Sequence, residues 1–116
     1  PLSIVVPTER ALGWDTAAVG DTVALRMPDD PVALMVLRLT GPLAVTSANR
    51  TGMPPAQTVA EAREYFGKEV SVYVDGGTSP SDVPSTVVDL GGLTPQVIRE
   101  GAVTRRQIEE LLRSSL

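Results

Sequence analysis

The sequence of 116 residues contains no cysteine and no histidine. Without cysteine the chain cannot form a disulfide and offers no thiolate to a metal ion. Without histidine it lacks the most common general base and metal ligand of proteins. Any catalysis by this chain must therefore use hydroxyls, carboxylates, cationic side chains and backbone groups.

Aromatic residues and long apolar runs are also scarce. One Trp, two Tyr and one Phe give few rings on which unpaired bases might stack. The 10 basic and 14 acidic side chains give a formal charge of -4, which argues against a broad nucleic-acid surface and leaves room only for a weak, local RNA contact. No apolar run approaches the ~20 residues that span a bilayer, and no signal segment opens the sequence. We therefore expect a cytoplasmic protein with no membrane partner.

The residues that are present indicate a mixed α/β protein. Composition is close to that of soluble globular domains, with 42% hydrophobic and 21% charged residues. Short apolar, β-branched runs alternate with helical patterns, and a turn-rich stretch separates the first two runs. The predicted strands are Ser3–Val6, Val23–Arg26, Leu43–Thr46, Val70–Val74, Thr86–Leu90 and Gln96–Arg99.

Three helices are predicted from their end signals. A helix from Pro31 to about Thr40 is expected because Asp30 can cap its start and Gly41 can close it. The other two begin at capping-box spacings, Thr58–Glu61 and Thr104–Gln107. The last helix carries one apolar stripe, made of Ile108, Leu111 and Leu112, which is typical of a helix docked on a core.

Polar residues gather where the predicted strands end. They are Arg26, Thr46–Asn49, Asp75–Gly77, Ser85 and Arg99. Crevices at strand ends commonly bind ligands in open α/β sheets, so the pattern predicts a site without identifying its chemistry. The same residues also suit ordinary turns, since Ser and Asn side chains bond their own backbone there. The "DGG" stretch suits a tight turn as well as a ligand loop.

Several segments, taken together, resemble one known family. "TSANRTGMPP", "VDGG", "PSTVVDL" and "IREG", in this order, are similar to the YrdC/TsaC family, the threonylcarbamoyl-AMP synthases, and "PLSIVVP" and "VALRMPDDP" resemble that family's preceding strands. The resemblance implies a YrdC-like α/β fold, a mixed, twisted open sheet with flanking helices. Residues 1–116 are expected to be the C-terminal portion of a single YrdC-like domain. The family's upstream Lys-x-Arg motif and threonine-binding loop lie outside this sequence.

The resemblance also implies an activity. Enzymes of this family condense L-threonine, bicarbonate and ATP into threonylcarbamoyl-AMP with release of pyrophosphate, a nucleotidyltransferase reaction. Mg²⁺ is expected as the cofactor, carried by the ATP phosphates rather than by protein ligands. The product is expected to pass to a transferase complex that modifies tRNA. Because the upstream motifs are absent, we expect the chain alone to lack part of the site.

The resemblance assigns two sets of residues and leaves the general base and any metal ligand unassigned. The ATP-binding set is Thr22, Ser47, Asn49, Pro55 and Arg99. The threonine-binding set is Arg26, Val45, Thr46 and Ser85. Pairing of Arg26 with the threonine carboxylate is physically sound, because a guanidinium fork fits a carboxylate bidentately.

Two alternatives stay open at this point. The first alternative to the synthase is an RNA-binding module of the same fold, with salt-sensitive affinity for RNA. The second is a YrdC-like domain that serves another carbamoyl transfer. In the second alternative, carbamoyl phosphate replaces threonine and bicarbonate as the source of the carbamoyl group.

Overall fold

The computed structural model describes residues 1–8, 22–79 and 83–114, which divide into two compact units. The first, here the sheet unit, comprises Pro1–Asp29 and Val83–Leu116. The second, here the helix unit, comprises Asp30–Asp82. The turn-rich stretch predicted between the first two strands lies outside the described residues.

The sheet unit contains a mixed sheet of four strands in the order β2-β1-β3-β4. The strands are β1 (Leu2–Pro7), β2 (Thr22–Leu25), β3 (Thr86–Asp89) and β4 (Gln96–Arg99). β1 pairs with β2 antiparallel and with β3 parallel, and β3 pairs with β4 antiparallel. The predicted mixed α/β fold is thereby confirmed, and Arg26 lies directly after β2 rather than within it.

The core of the sheet unit centres on β3, which has a neighbouring strand on each side. Thr86 is fully buried and Val88 is 4% exposed, as expected for a β-branched run in a central strand. The C-terminal helix of this unit is α3 in chain order and spans Arg105–Ser114. Of the predicted apolar stripe, Ile108 is buried at 6% exposure, Leu112 is half-buried and Leu111 stays largely exposed, so the stripe packs only in part.

The helix unit contains α1 (Pro31–Thr40) and α2 (Val59–Phe66), with a 3-10 turn after α2. α1 has the predicted bounds because Asp30 Oδ1 accepts a hydrogen bond from Ala33 N at 2.7 Å, and Gly41 ends the helix with a φ of 74°. A residue with a side chain would be strained there. In the parts of the chain that the structure describes, no helix is long and apolar enough to cross a membrane.

Two predicted strands are wrong. Leu43–Thr46 and Val70–Val74, both in the helix unit, have irregular secondary structure and do not belong to the sheet. Their β-branched residues favour a pleated conformation, but a strand also needs a neighbour with which to form a ladder. Neither segment has such a neighbour within residues 1–8, 22–79 and 83–114.

Candidate functional site

Ser85 and Arg99, two predicted site residues, lie in direct contact in the sheet unit. Ser85 immediately precedes β3 and is 6% exposed, whereas Arg99 ends β4 with an exposed side chain. Arg99 Nε donates to the Ser85 carbonyl at 3.0 Å, and Arg99 Nη2 donates to Ser85 Oγ at 3.0 Å. The guanidinium therefore fixes both the backbone and the hydroxyl of one residue.

The surroundings of the Ser85 hydroxyl suit an anionic ligand. Its oxygen accepts from Arg99 and lies 3.1 Å from Ser3 Oγ, with either hydroxyl able to donate. Its own hydrogen is therefore directed to Ser3 or to a ligand. The remaining N–H groups of the Arg99 guanidinium are available to a carboxylate or phosphate, the groups that arginine recognises best.

Thr86 and Gly101 hold in place the backbone beside the Ser85–Arg99 pair. Neither residue is assigned to the site in the sequence analysis. Thr86 Oγ1 donates to the Val103 carbonyl and accepts from Gly101 N at 2.9 Å and Val103 N at 3.1 Å. A Cβ on Gly101 would lie 2.1 Å from the Pro84 carbonyl oxygen. The segment after β4 therefore packs directly on the backbone before β3. Gly101 stands in the quoted "IREG" motif, Thr86 in "PSTVVDL" and Ser3 in "PLSIVVP", although none of the three is among the predicted site residues.

The other two predicted residues of the sheet unit flank β2. Thr22 is the first residue of β2, pairs with Pro7 across the sheet and is half-buried. Arg26 follows the strand with an exposed side chain and forms no ion pair with any described residue. Among the described residues, no acidic side chain pairs with this guanidinium.

The remaining predicted residues lie in one loop of the helix unit, between α1 and α2. They are Val45, Thr46, Ser47, Asn49 and Pro55, and all except the half-buried Asn49 are exposed. The loop is closed by a hydrogen bond from Ala56 N to the Ala48 carbonyl at 2.9 Å. This bond constrains the segment that carries Asn49 and Pro55, whereas Val45, Thr46 and Ser47 precede it.

Asn49 is the internal brace of this loop. Its Nδ2 donates to the Arg50 and Met53 carbonyls, each at 3.0 Å, and its backbone N donates to the Ser47 carbonyl at 3.0 Å. Both amide hydrogens are therefore used within the loop. Its Oδ1 is buried and has no hydrogen-bond partner among the described residues. Only this oxygen remains for a further donor.

Arg50, the residue after Asn49, connects this loop to α2 and the turn that follows it. Its guanidinium forms an ion pair with Glu69, its Nε donates to the Tyr65 carbonyl at 2.9 Å, and its Cζ lies 5.5 Å from the centre of the Phe66 ring. The side chain therefore fastens the loop to the end of α2. Its charge is already partly neutralised by Glu69.

The helix unit also has a shallow cavity of about 450 Å³ that none of the residues assigned to ATP or threonine binding lines. Its lining comes from the start of α2 and from Asp75, Gly77 and Thr78. Asp75 Oδ1 accepts from Gly77 N at 2.9 Å, and Gly77 has a φ of 87°. The "DGG" stretch is therefore a tight turn held by its own aspartate. Across the described ranges, no group of three or more acidic side chains is placed to hold a metal ion.

A protein-family comparison identifies the lineage of the chain. The Sua5/YciO/YrdC family model, which carries the description "Telomere recombination", matches residues 1–101. The chain belongs to the Sua5/YciO/YrdC family. The resemblance to YrdC/TsaC proteins drawn from the quoted motifs is thus confirmed.

Curated proteins of the Sua5/YciO/YrdC family match almost the whole chain. A protein of Mycobacterium tuberculosis H37Rv, provisionally named a threonylcarbamoyl-AMP synthase, is 47% identical over 111 residues, covering 96% of this chain and 51% of that protein. The threonylcarbamoyl-AMP synthase of Bacillus subtilis 168 is 37% identical over 114 residues, covering 96% of this chain and 33% of that protein. The chain therefore spans about half the length of the mycobacterial relative.

Solved structures of the family share the fold. Pyrococcus abyssi Sua5, crystallised with L-threonine, has a TM-score of 0.84 and 33% sequence identity, covering 97% of this chain and 33% of Sua5. A variant of the same Sua5 gives the same TM-score. The YrdC-like fold predicted from the motifs is confirmed.

Proposed function

We propose that this chain forms part of an enzyme that makes L-threonylcarbamoyl-AMP from L-threonine, bicarbonate and ATP, releasing pyrophosphate as a nucleotidyltransferase. The observation that carries the proposal is the likeness of 97% of the chain to a Sua5 crystallised with L-threonine. Relatives named for the same synthase activity support it. The product would pass to a cytoplasmic transferase complex that modifies tRNA.

On the threonine side, we assign recognition to Arg26 and Ser85. Arg26 pairs with the threonine carboxylate, which suits its exposed guanidinium and its lack of an ion-pair partner in the described chain. Ser85 directs its hydroxyl hydrogen to the carboxylate or to the acyl phosphate, since its oxygen already accepts from Arg99. Val45 and Thr46 contribute contact surface from the loop of the helix unit.

On the nucleotide side, we assign Ser47, Asn49 and Arg99, with Thr22 and Pro55 as contact surface. Arg99 has guanidinium N–H groups left after its two bonds to Ser85. The exposed Ser47 hydroxyl meets the phosphate and sugar region. Asn49 acts mainly by holding the loop, because its two amide hydrogens are used on loop carbonyls.

The proposed reaction needs no covalent enzyme intermediate. The threonine amine attacks the carbon of bicarbonate, and loss of water leaves a carbamate. A carbamate oxygen then attacks the α-phosphorus of ATP, and pyrophosphate leaves. The chain's role is to position the reactants and to offset negative charge with arginine and hydroxyl donors. Mg²⁺ would arrive with the ATP phosphates, and we assign it no ligand in this chain, since the described residues hold no acidic cluster.

Calorimetry with separate ligands tests this assignment. The protein is a chimera in which this chain replaces the matched half of the mycobacterial relative. Arg26→Ala should weaken L-threonine binding by roughly 10- to 100-fold and leave ATP binding unchanged, because a charge-assisted hydrogen bond is worth about 1.5–3 kcal/mol. Ser47→Ala should weaken ATP binding and spare threonine.

Arg38→Ala is the control for these variants, because Arg38 is an exposed arginine of α1 outside the proposed site. It should change neither affinity. Equal losses of both ligands from Arg26→Ala and Ser47→Ala would contradict the assignment. Binding of carbamoyl phosphate or RNA in place of threonine would favour the alternative functions.

A further inference from the structure

Ser3 is the one polar residue of β1, a strand whose other residues are all apolar. Its side chain is half-buried, and its Oγ lies 3.1 Å from Ser85 Oγ. The two serines are 82 positions apart and are brought together by the parallel pairing of β1 with β3. Strand formation alone does not require a hydroxyl at this place, since β-branched apolar residues favour strands more strongly.

Ser3, Ser85 and Arg99 share one face of the sheet. Ser3 pairs with Val87 in the β1–β3 register, and Val87 also pairs with Arg99 of β4. Ser85 stands two positions before Val87, so strand alternation directs its side chain to the same face. The hydrogen bonds of Ser85 with Ser3 and Arg99 agree with this placement. Ser85 therefore lies between a neutral hydroxyl from β1 and a cation from β4.

A register shift in β4 directs Arg99 to that face. Val87 pairs with Arg99, whereas Val88 pairs with Val97, which leaves Ile98 without a partner in the register. Without this extra residue, Ile98 would pair with Val87, and Arg99 would direct its side chain to the opposite face, because successive strand residues alternate. The shift thus places the guanidinium beside the pair of serine hydroxyls.

Arg26 falls in the same row of the sheet, on the other side of Ser3. Ile4 pairs with Leu25, the last residue of β2, and Arg26 follows Leu25. The register continued by one residue sets Arg26 opposite Ser3, and opposite residues of antiparallel strands share a face. Ser3 thus stands between Arg26 and Ser85, the two residues whose side chains are assigned to L-threonine under the proposed function.

The hydrogen-bond capacity of the Ser85 hydroxyl limits how Ser3 can bond to it. A serine hydroxyl donates one hydrogen and accepts two. One acceptor position of Ser85 Oγ is taken by Arg99 Nη2. If Ser3 donates, it takes the second position, and the Ser85 hydrogen is left for another acceptor. If Ser85 donates instead, its only hydrogen is spent on Ser3 and none remains for a ligand oxygen.

We propose that Ser3 is a positioning residue for L-threonine, a role that rests on the proposed function. With substrate bound, Ser3 donates to Ser85 Oγ, and Ser85 donates its hydrogen to an oxygen of the threonine carboxylate. The anion selects this direction, because the Ser85 hydrogen gains more from a charged acceptor than from a neutral hydroxyl. Two donors on Ser85 Oγ also polarise its O–H bond, which strengthens the donation. Ser3 acts through Ser85 and does not itself touch the substrate.

Calorimetry of L-threonine binding to the chimera tests this role with a matched pair of variants. Ser3→Thr keeps the hydroxyl, whereas Ser3→Val has nearly the same shape and lacks it, and both residues suit a strand. Ser3→Thr should bind L-threonine within about twofold of the unsubstituted chimera, and Ser3→Val should bind it roughly 3- to 10-fold more weakly, the effect of one hydrogen bond. The affinity for ATP should be unchanged in both variants.

A double-mutant cycle separates positioning from a general effect on packing. If Ser3 acts through Ser85, Ser3→Val should no longer weaken L-threonine binding once Ser85→Ala has removed the second hydroxyl. A purely structural role of Ser3 would instead weaken binding equally with and without the Ser85 hydroxyl. Urea unfolding shows that each variant compared is folded. Should Ser3→Val not fold, Ser3→Ala takes its place with the same expected loss.

The outcomes distinguish this role from the proposed function. Equal L-threonine affinities of Ser3→Val and Ser3→Thr would overturn the positioning role and leave the proposed function standing. Equal losses from Ser3→Val in the presence and absence of the Ser85 hydroxyl would do the same. A folded, unsubstituted chimera that binds no L-threonine would overturn both.

Discussion

Arg99 holds Ser85 through two hydrogen bonds of 3.0 Å, one to its carbonyl and one to its hydroxyl. The residues are 14 positions apart and are brought together by the antiparallel pairing of β3 and β4. The resemblance assigned Ser85 to threonine and Arg99 to the nucleotide. Under the proposed assignments, this contact would couple threonine binding to nucleotide binding.

This contact predicts a stability effect of Arg99. Arg99→Ala should lower the free energy of unfolding by about 1–2 kcal/mol, since it leaves the buried Ser85 groups with fewer partners. Arg99→Lys should recover little, because an ammonium cannot reproduce the fork. Urea denaturation measures both, with Arg38→Ala as a control expected within about 0.5 kcal/mol of the unsubstituted chain. Full recovery by lysine would show that charge, not geometry, matters.

Gly101 should tolerate no side chain. Gly101→Ala places a Cβ at 2.1 Å from the Pro84 carbonyl oxygen and 2.7 Å from the Ser85 carbonyl carbon. The backbone must shift, so the variant should lose about 2–3 kcal/mol of stability. Gly92→Ala is the control, because its Cβ would meet only the Thr94 carbonyl at 3.8 Å. Equal urea midpoints for the two variants would contradict the packing described here.

The hydroxyl group of Thr86 should contribute more to the stability of the fold than its methyl group. Thr86→Val keeps the shape of the side chain but leaves the Gly101 and Val103 amides without their acceptor. The expected loss is about 2–3 kcal/mol, whereas Thr86→Ser should retain most of the stability because its hydroxyl remains. Thermal unfolding of the two variants gives the comparison. A more stable valine variant would exclude a structural role for the hydroxyl.

Substitutions of Asn49 and Ser47 should distinguish a residue that orders the loop from a residue that contacts the ligand. Asn49→Ala removes both donors to the loop carbonyls, so the Ala56 amide that closes the loop should exchange roughly tenfold faster. Ser47→Ala should leave that exchange unchanged while still weakening ATP binding in the chimera. An unchanged exchange rate of the Ala56 amide in Asn49→Ala would show that Asn49 does not brace the loop.

Local sequence signals predicted the helices well. The bounds of α1 follow from Asp30 and Gly41, whose capping contacts involve residues only a few positions away. The capping box of α3 forms as expected, with Thr104 N donating to Gln107 Oε1 at 2.9 Å and Gln107 N donating to Thr104 Oγ1 at 3.3 Å. Such interactions are encoded within one turn of chain.

Long-range contacts were not predictable in the same way. The Ser3–Ser85 contact joins residues 82 positions apart, so no local pattern announces it. The strand predictions for Leu43–Thr46 and Val70–Val74 failed for a related reason, since ladder formation depends on a partner that the local sequence does not contain. The motifs identified Ser85 and Arg99 as site residues without indicating that they touch.

Pyrophosphate release from ATP by the chimera tests the proposed function most directly, after cooperative unfolding has shown that the chimera is folded. L-threonine and bicarbonate are omitted in turn. A threonylcarbamoyl-AMP synthase should release pyrophosphate only when both are present. Absence of release from the folded chimera, or release that continues without threonine, would contradict the account.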